Sequence, residues 1–277
     1  MMNSTSTPSL TGCSFYGNSA GESGGGMYNF SNSSAALSDS TFSGNQAVSS
    51  GGGMYNEQSS PSLANTIFLG NTASQGGGMT NYYEANPLLR DCTLTGNSAG
   101  LGGGIYNSAS SMPNIINSVF TGNTADAGGA LHNSSSKPII TNCTFSGNSA
   151  TNTGGGMYNM AYPGPVVANS IMWGDNPNEI YNTNSYPEVT YSDVQGGYEG
   201  AGNLNSDPAF ANPIEGDFHL AEGSPVIDAG TNSALIISLD FEGDPRILDG
   251  NGDGVAIVDM GVDEYNSESF ARFESTL

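Results

Sequence analysis

Phe42-Ser-Gly-Asn45, Gly51-Gly-Gly-Met54-Tyr-Asn56, Pro61-Ser-Leu63-Ala-Asn65: these short segments make up one period of the chain, and the period recurs. The first returns as Phe15-Tyr-Gly-Asn18, Phe68-Leu-Gly-Asn71, Leu94-Thr-Gly-Asn97, Phe120-Thr-Gly-Asn123 and Phe145-Ser-Gly-Asn148. The successive asparagines are 27, 26, 26, 26 and 25 residues apart. A fixed period of this size means one structural unit stacked on copies of itself. Each segment alternates apolar and polar residues over too few positions for a helix, which predicts half-buried strands. Asparagine and glycine at every corner suit the left-handed backbone that sharp bends require. Three strands and three corners in about 26 residues predict one coil of a parallel β-helix.

Stacked in register, like residues line up along the axis. Leu10, Leu37, Leu63, Leu89, Ile115, Ile140, Val167 and Val189 form one inward column, and Phe15, Phe42, Phe68, Leu94, Phe120, Phe145 and Met172 a second. Met27, Met54, Met79, Ile105, Leu131, Met157 and Ile180 form a third. Their methionine and aromatic content reads as core packing. The corner asparagines are expected to stack into hydrogen-bonded ladders. About eight coils at roughly 4.8 Å each give a rod on the order of 40 Å long. The repeat occupies residues 1–197; closing coils with an acidic capping module are expected over 198–265, and a tail over 266–277.

Charge is unevenly placed. Of a formal net charge of −22, residues 1–170 hold −4 and residues 171–277 hold −18. Such a surface repels phosphate backbones and anionic lipid, which argues against nucleic acid and the membrane surface as partners. No apolar run approaches membrane-spanning length. The chain enters a coil almost at once, at Pro8-Ser-Leu10, which predicts a piece of a longer exported protein. Cys13, Cys92 and Cys143 share one column; the nearest pair is two coils apart, about 9–10 Å, beyond disulfide reach. Three free thiols are expected.

The repeat resembles a known family. F-x-x-N followed by G-G-A-[I/L/V] is the repeat pair of the chlamydial polymorphic outer-membrane proteins and of bacterial right-handed parallel β-helix repeat proteins. Phe120-Thr-Gly-Asn123 with Gly128-Gly-Ala-Leu131 matches both halves, whereas the other coils carry glycine for the alanine. Asp217-Phe-His-Leu220, Ser224-Pro-Val-Ile-Asp-Ala-Gly230, Gly243-Asp-Pro-Arg246 and Asp259-Met-Gly-Val-Asp-Glu-Tyr265 look like the closing part of such proteins. The resemblance implies a right-handed helix in a secreted or cell-surface bacterial protein, often adhesive. The membrane-embedded barrel of the chlamydial members has no counterpart in this sequence.

Three groups of residues are candidate sites. Asp249-Gly-Asn251-Gly-Asp253-Gly254 looks like the first half of a calcium loop, with Asp259 one place short of the usual closing ligand. Asp249, Asn251, Asp253 and Asp259 are therefore the expected calcium ligands, against the plainer reading of an acidic turn. Tyr28, Tyr55, Tyr106, Tyr158 and Tyr181 share one outward column, interrupted by Thr80 and His132. Such a column can stack on sugar rings or merely on itself. Asp39 and Asp91 replace corner asparagines two coils apart, while His132 and His219 show no partner at readable spacing. The outward column Ser14, Thr41, Ile67, Thr93, Val119, Thr144, Ile171 is too mixed for an ice lattice. Two functional classes remain. One is a non-catalytic adhesin-like, glycan-binding or structural rod; the alternative is a polysaccharide-active lyase, hydrolase or epimerase.

Overall fold

The computed structural model describes residues 1–235 and 237–266. The three inward columns lie on three parallel sheets of eight strands each, which makes seven full turns. The methionine sheet runs from Met2–Ser4 through Met27–Phe30 to Ile180–Thr183, the leucine sheet from Ser9–Thr11 to Glu188–Thr190, and the phenylalanine sheet from Ser14–Tyr16 to Asp193–Val194. Register follows the repeat: Leu63 pairs with Leu37 and Leu89, Phe68 with Phe42 and Leu94, and Met79 with Met54 and Ile105. The aligned side chains merge into one buried core. Within it the rings of Phe15, Phe42 and Phe68 stack at 4.5 and 4.8 Å, and Phe120 stacks on Phe145 at 4.6 Å.

Six of the coils have a fourth side that the three-strand expectation lacks. Strands such as Thr72–Gln75, Ser98–Leu101 and Thr124–Ala127 form a six-stranded parallel sheet between the phenylalanine and methionine sheets. Alanines pair down this sheet, Ala20 with Ala47, Ala73 with Ala99 and Ala125 with Ala150. The small side chains bring backbones close, and the following glycines exploit this. A Cβ at Gly52 would lie 2.5 Å from the carbonyl oxygens of Gly77 and Thr72. Only glycine fits there.

The asparagine columns also divide into two kinds. The corner set, Asn65, Asn117, Asn142 and Asn169 with Asp39 and Asp91, takes the expected left-handed backbone, φ between 46° and 54°. The other two sets are buried acceptors and donors. Asn71 donates from Nδ2 to Phe42 O of the preceding coil and to Asn97 Oδ1 of the next, both at 2.9 Å. The backbone N–H of Asn71 also donates to Asn97 Oδ1 at 3.0 Å. A second ladder climbs the methionine sheet from Asn3 to Asn182, whose Nδ2 donates to Tyr198 Oη at 3.0 Å. Turning at these positions falls to glycines such as Gly44, Gly51 and Gly70.

Past the last full coil the chain makes one more partial pass. Tyr198 packs against the core, and Leu204 bridges in parallel to Asp193. Residues from 207 onward do not stack as further coils along the axis. They run back along the flank, over the outer face of the phenylalanine sheet and its asparagine corner. Ile171 is buried with Leu220, Val226 and Met260, and Val119 with Phe218 and Val262. Polar anchors complete the seam. Thr231 N–H donates to Asn169 Oδ1 at 2.8 Å, and Asn117 Nδ2 donates to Leu239 O at 2.9 Å. Arg246, fully buried, donates to Asn117 Oδ1 and Val262 O at 2.7 Å each and faces Glu264 at 3.9 Å. Residues 267–277 of the expected tail lie outside the described residues.

A candidate ligand groove on the solenoid flank

The returning segment holds little regular structure beyond the pair Phe210–Asn212 and Asp217–Leu220. Its backbone donors therefore need other acceptors, and carboxylates supply them. Asp240 Oδ1 accepts the N–H groups of Glu242, Gly243 and Asp244, and its Oδ2 that of Glu264. Asp259 accepts from Asp228 and Tyr265, and Glu264 from Leu248 and Asp259. The acidity of this half is in large part structural. Burial pushes the carboxyl of Asp259 up to about 7, and burial with the Asp259 charge beside it pushes Glu264 up to about 9.

Three of the four expected calcium ligands lie in an exposed turn that their own side chains bond together, and the fourth, Asp259, is buried. Asp249 uses both oxygens on the N–H groups of Asp253 and Gly254; Asn251 Oδ1 accepts from Asp253, and Asp253 Oδ1 from Val255. Asp259 is buried in the cluster just described, whereas Asp249, Asn251 and Asp253 are exposed. Among the described residues no group of three or more His, Cys, Asp or Glu side chains is placed to hold a metal ion.

The five tyrosines do share one column, and much of their surface is spent on each other. Tyr28 meets Tyr55 at 4.9 Å and Tyr158 meets Tyr181 at 5.7 Å. His132 fills the gap between Tyr106 and Tyr158 at 5.2 and 4.8 Å. Burial lowers the His132 pKa to about 4, so it is a neutral packing group. Tyr28 also donates to Glu57 at 2.9 Å, and burial together with this bond raises its phenol to about 12. Asp39 and Asp91 sit at left-handed corners and accept from Asn65 and Asn117, as asparagines would. Cys13, Cys92 and Cys143 are free thiols, the latter two buried.

A concave surface lies elsewhere among the described residues, between the uncovered rungs of the phenylalanine sheet and the returning segment. One lobe, of about 420 Å³, is floored by Thr93, Thr95, Val119 and Thr121 and walled by residues 215–219, Phe241, Glu242, Val262 and Asp263. A second, of about 630 Å³, shares Phe241 and Glu242 and reaches the corner residues Asn65, Arg90 and Asp91. His219 ties the walls together: Nδ1 bonds Asp217, two residues earlier on the same strand face, and Nε2 bonds Glu242 at 2.9 Å. Burial alone would lower its pKa, but these bonds and the Asp263 charge carry it up to about 9. Asp263 is itself raised to about 6 by burial. The sequence reading gave His219 no partner, and the structure gives it Asp217 and Glu242. The i, i−2 spacing to Asp217 on a strand is the signal that could have supplied the first, whereas the pairing with Glu242 had no local signal.

With this geometry in view, two family models match. The right handed beta helix region covers residues 1–120, and the Chlamydia polymorphic membrane protein repeat covers residues 117–134. The second match falls on the coil of Phe120 and Leu131, where alanine takes the third glycine's place. The fold is that of a right-handed parallel β-helix, and residues 117–134 match the polymorphic membrane protein repeat. No curated protein matches the chain. In this β-helix the matched repeats supply the groove's floor, while its walls come from the segment beyond both matches.

Proposed function

We propose that this β-helix is a non-catalytic rod of the secreted or cell-surface kind that holds a glycan in its flank groove. Fold and repeat support a surface-type solenoid, and the observation that carries the binding reading is the groove itself. It is concave, its floor offers the hydroxyls of Thr93 and Thr95 with Thr121 one coil on from Thr95, and the part-buried Phe241 lines both lobes. Aromatic surface for a sugar face with polar groups for its hydroxyls is the usual chemistry of saccharide sites. The tyrosine column supports this role less, because its rings are engaged with one another. Electrophoresis through gels containing single polysaccharides tests the reading. Retardation with the polymer intact is expected, weakened by Phe241→Ala and unchanged by Tyr106→Ala with Tyr158→Ala. The reverse pattern would move the site to the tyrosines, and unaltered mobility in every gel would leave a spacer.

One observation favours the alternative of a polysaccharide-active enzyme. Asp263, a carboxyl raised toward neutrality, lines the same lobe as Asp217 and Glu242. Cleared polymer along the track, abolished by Asp263→Asn, would establish catalysis in place of retention. Calcium at the turn of Asp249, Asn251 and Asp253 is a separate proposal, which heat in a calorimetric titration would support and its absence would sink.

A further inference from the structure

The glycan reading leaves the class of sugar open, and the charge of the groove narrows it. Asp217 and Glu242 hang half-exposed over the threonine floor, with side chains 42% and 45% accessible. Glu215 is exposed at the rim, and Asp91 lies in the second lobe. Among the described residues two cationic side chains line the two lobes, and both are already paired. His219 is held by Asp217 and Glu242, and Arg90 contacts Asp91 at 3.2 Å. A uronate or sulfate entering the groove would find no uncommitted lining cation and would meet the field of a chain of net charge −22. An ammonium group would find the second oxygens of the half-exposed Asp217 and Glu242, beyond those that bond His219, and the carboxylate of the exposed Glu215.

We propose that the flank groove binds a polymer of amino sugars with free amines, its ammonium groups on Glu242, Asp217 and Glu215 and its ring faces on Phe241. The proposal rests on the glycan-binding reading above. A cationic peptide would satisfy the carboxylates but would make no use of the threonine hydroxyls and the Phe241 ring, so the saccharide is the better fit.

Calorimetry at about pH 6 and low salt, where ammonium and exposed carboxylates are both charged, tests this with β-linked glucosamine oligosaccharides. Fully N-acetylated oligomers, uronate oligomers and polylysine of matched length serve as comparisons. The glucosamine oligomers are expected to bind at least about tenfold tighter than the other saccharides, an advantage that salt erodes. Glu242→Gln and Glu215→Gln are each expected to reduce it. Glu242 also holds His219, so a folding defect could mimic lost binding in that variant. The exposed Glu215, with no bond to the rest of the chain among the described residues, supplies the clean variant. Equal binding of acetylated oligomers, or tighter binding of uronates, would overturn the amino-sugar inference and leave the glycan reading standing. Polylysine binding as tightly as the glucosamine oligomers would overturn it too, because charge alone would then suffice. Failure of every saccharide would overturn both.

Discussion

At the scale of single residues, this molecule places amides and acids where most folds place apolar side chains. A buried asparagine such as Asn97 accepts from Asn71 and donates to Phe68 O and Asn123 Oδ1. Deleting the amide strands several partners in the dry interior at about 1–3 kcal/mol each before relaxation. Asn97→Ala is expected to lose about 3 kcal/mol or more in denaturant unfolding, and Asn65→Ala, at an exposed corner with one bond, about 1 kcal/mol. The ladder ends on Asp175, whose Oδ1 accepts from Asn148 beside the buried Glu179. Burial raises Asp175 to about 6; burial with the Asp175 charge raises Glu179 to about 10. Asp175→Asn continues the ladder and removes one acid, so it is expected to stabilise by about 2 kcal/mol at pH 8 and little at pH 4. Burial likewise lifts the thiols of Cys92 and Cys143 to about 12. A thiol reagent should label the half-exposed Cys13 alone in the native state, and all three cysteines after unfolding.

At the scale of elements, legibility followed side-chain size and period. The leucine, phenylalanine and methionine columns were readable because large apolar residues recur at fixed spacing, and every pair named from the sequence is in register. The fourth sheet was not, because its inward residue is alanine and its neighbours are serine, threonine and glycine, which look like loop. The buried asparagines were assigned to corners because asparagine tolerates left-handed φ; the adjacent glycines take that conformation instead. The course of residues 207–266 was least readable. A carboxylate can accept a backbone N–H from any distance along the chain, as Asp240 does from Glu264, and leaves no period behind. The same freedom hid Glu242 from His219, so the groove could not be assembled from the sequence although its floor could.

At the scale of the whole molecule, one seam joins a repeating rod to a non-repeating acidic flank, and Arg246 is its buried cation. Arg246→Ala would leave Asn117, Val262 and Glu264 without their partner, and an expected loss of about 3–5 kcal/mol should appear as early melting of the flank. Protonation acts on the same seam. Asp263, Asp259, Glu264 and His219 all have folded pKa values above their ordinary ones, so the folded state holds more protons than the unfolded chain. Their favourable contribution is full below the ordinary carboxylate range, for His219 below about 6.5, and is lost as pH climbs through about 6 to 9. Repulsion within a chain of net charge −22 works in the same direction. The melting temperature should therefore be higher at pH 5 than at pH 9 in scanning calorimetry, and a rise toward alkaline pH would contradict this assignment of protons. The proposed ligand groove lies along that seam. The most direct measurement is backbone hydrogen exchange with and without saturating β-linked glucosamine oligosaccharide. Added protection is expected in Thr93–Thr95, Val119–Thr121, residues 215–219 and residues 240–243. Protection confined to the tyrosine-bearing strands, or none anywhere, would contradict a ligand groove on the flank.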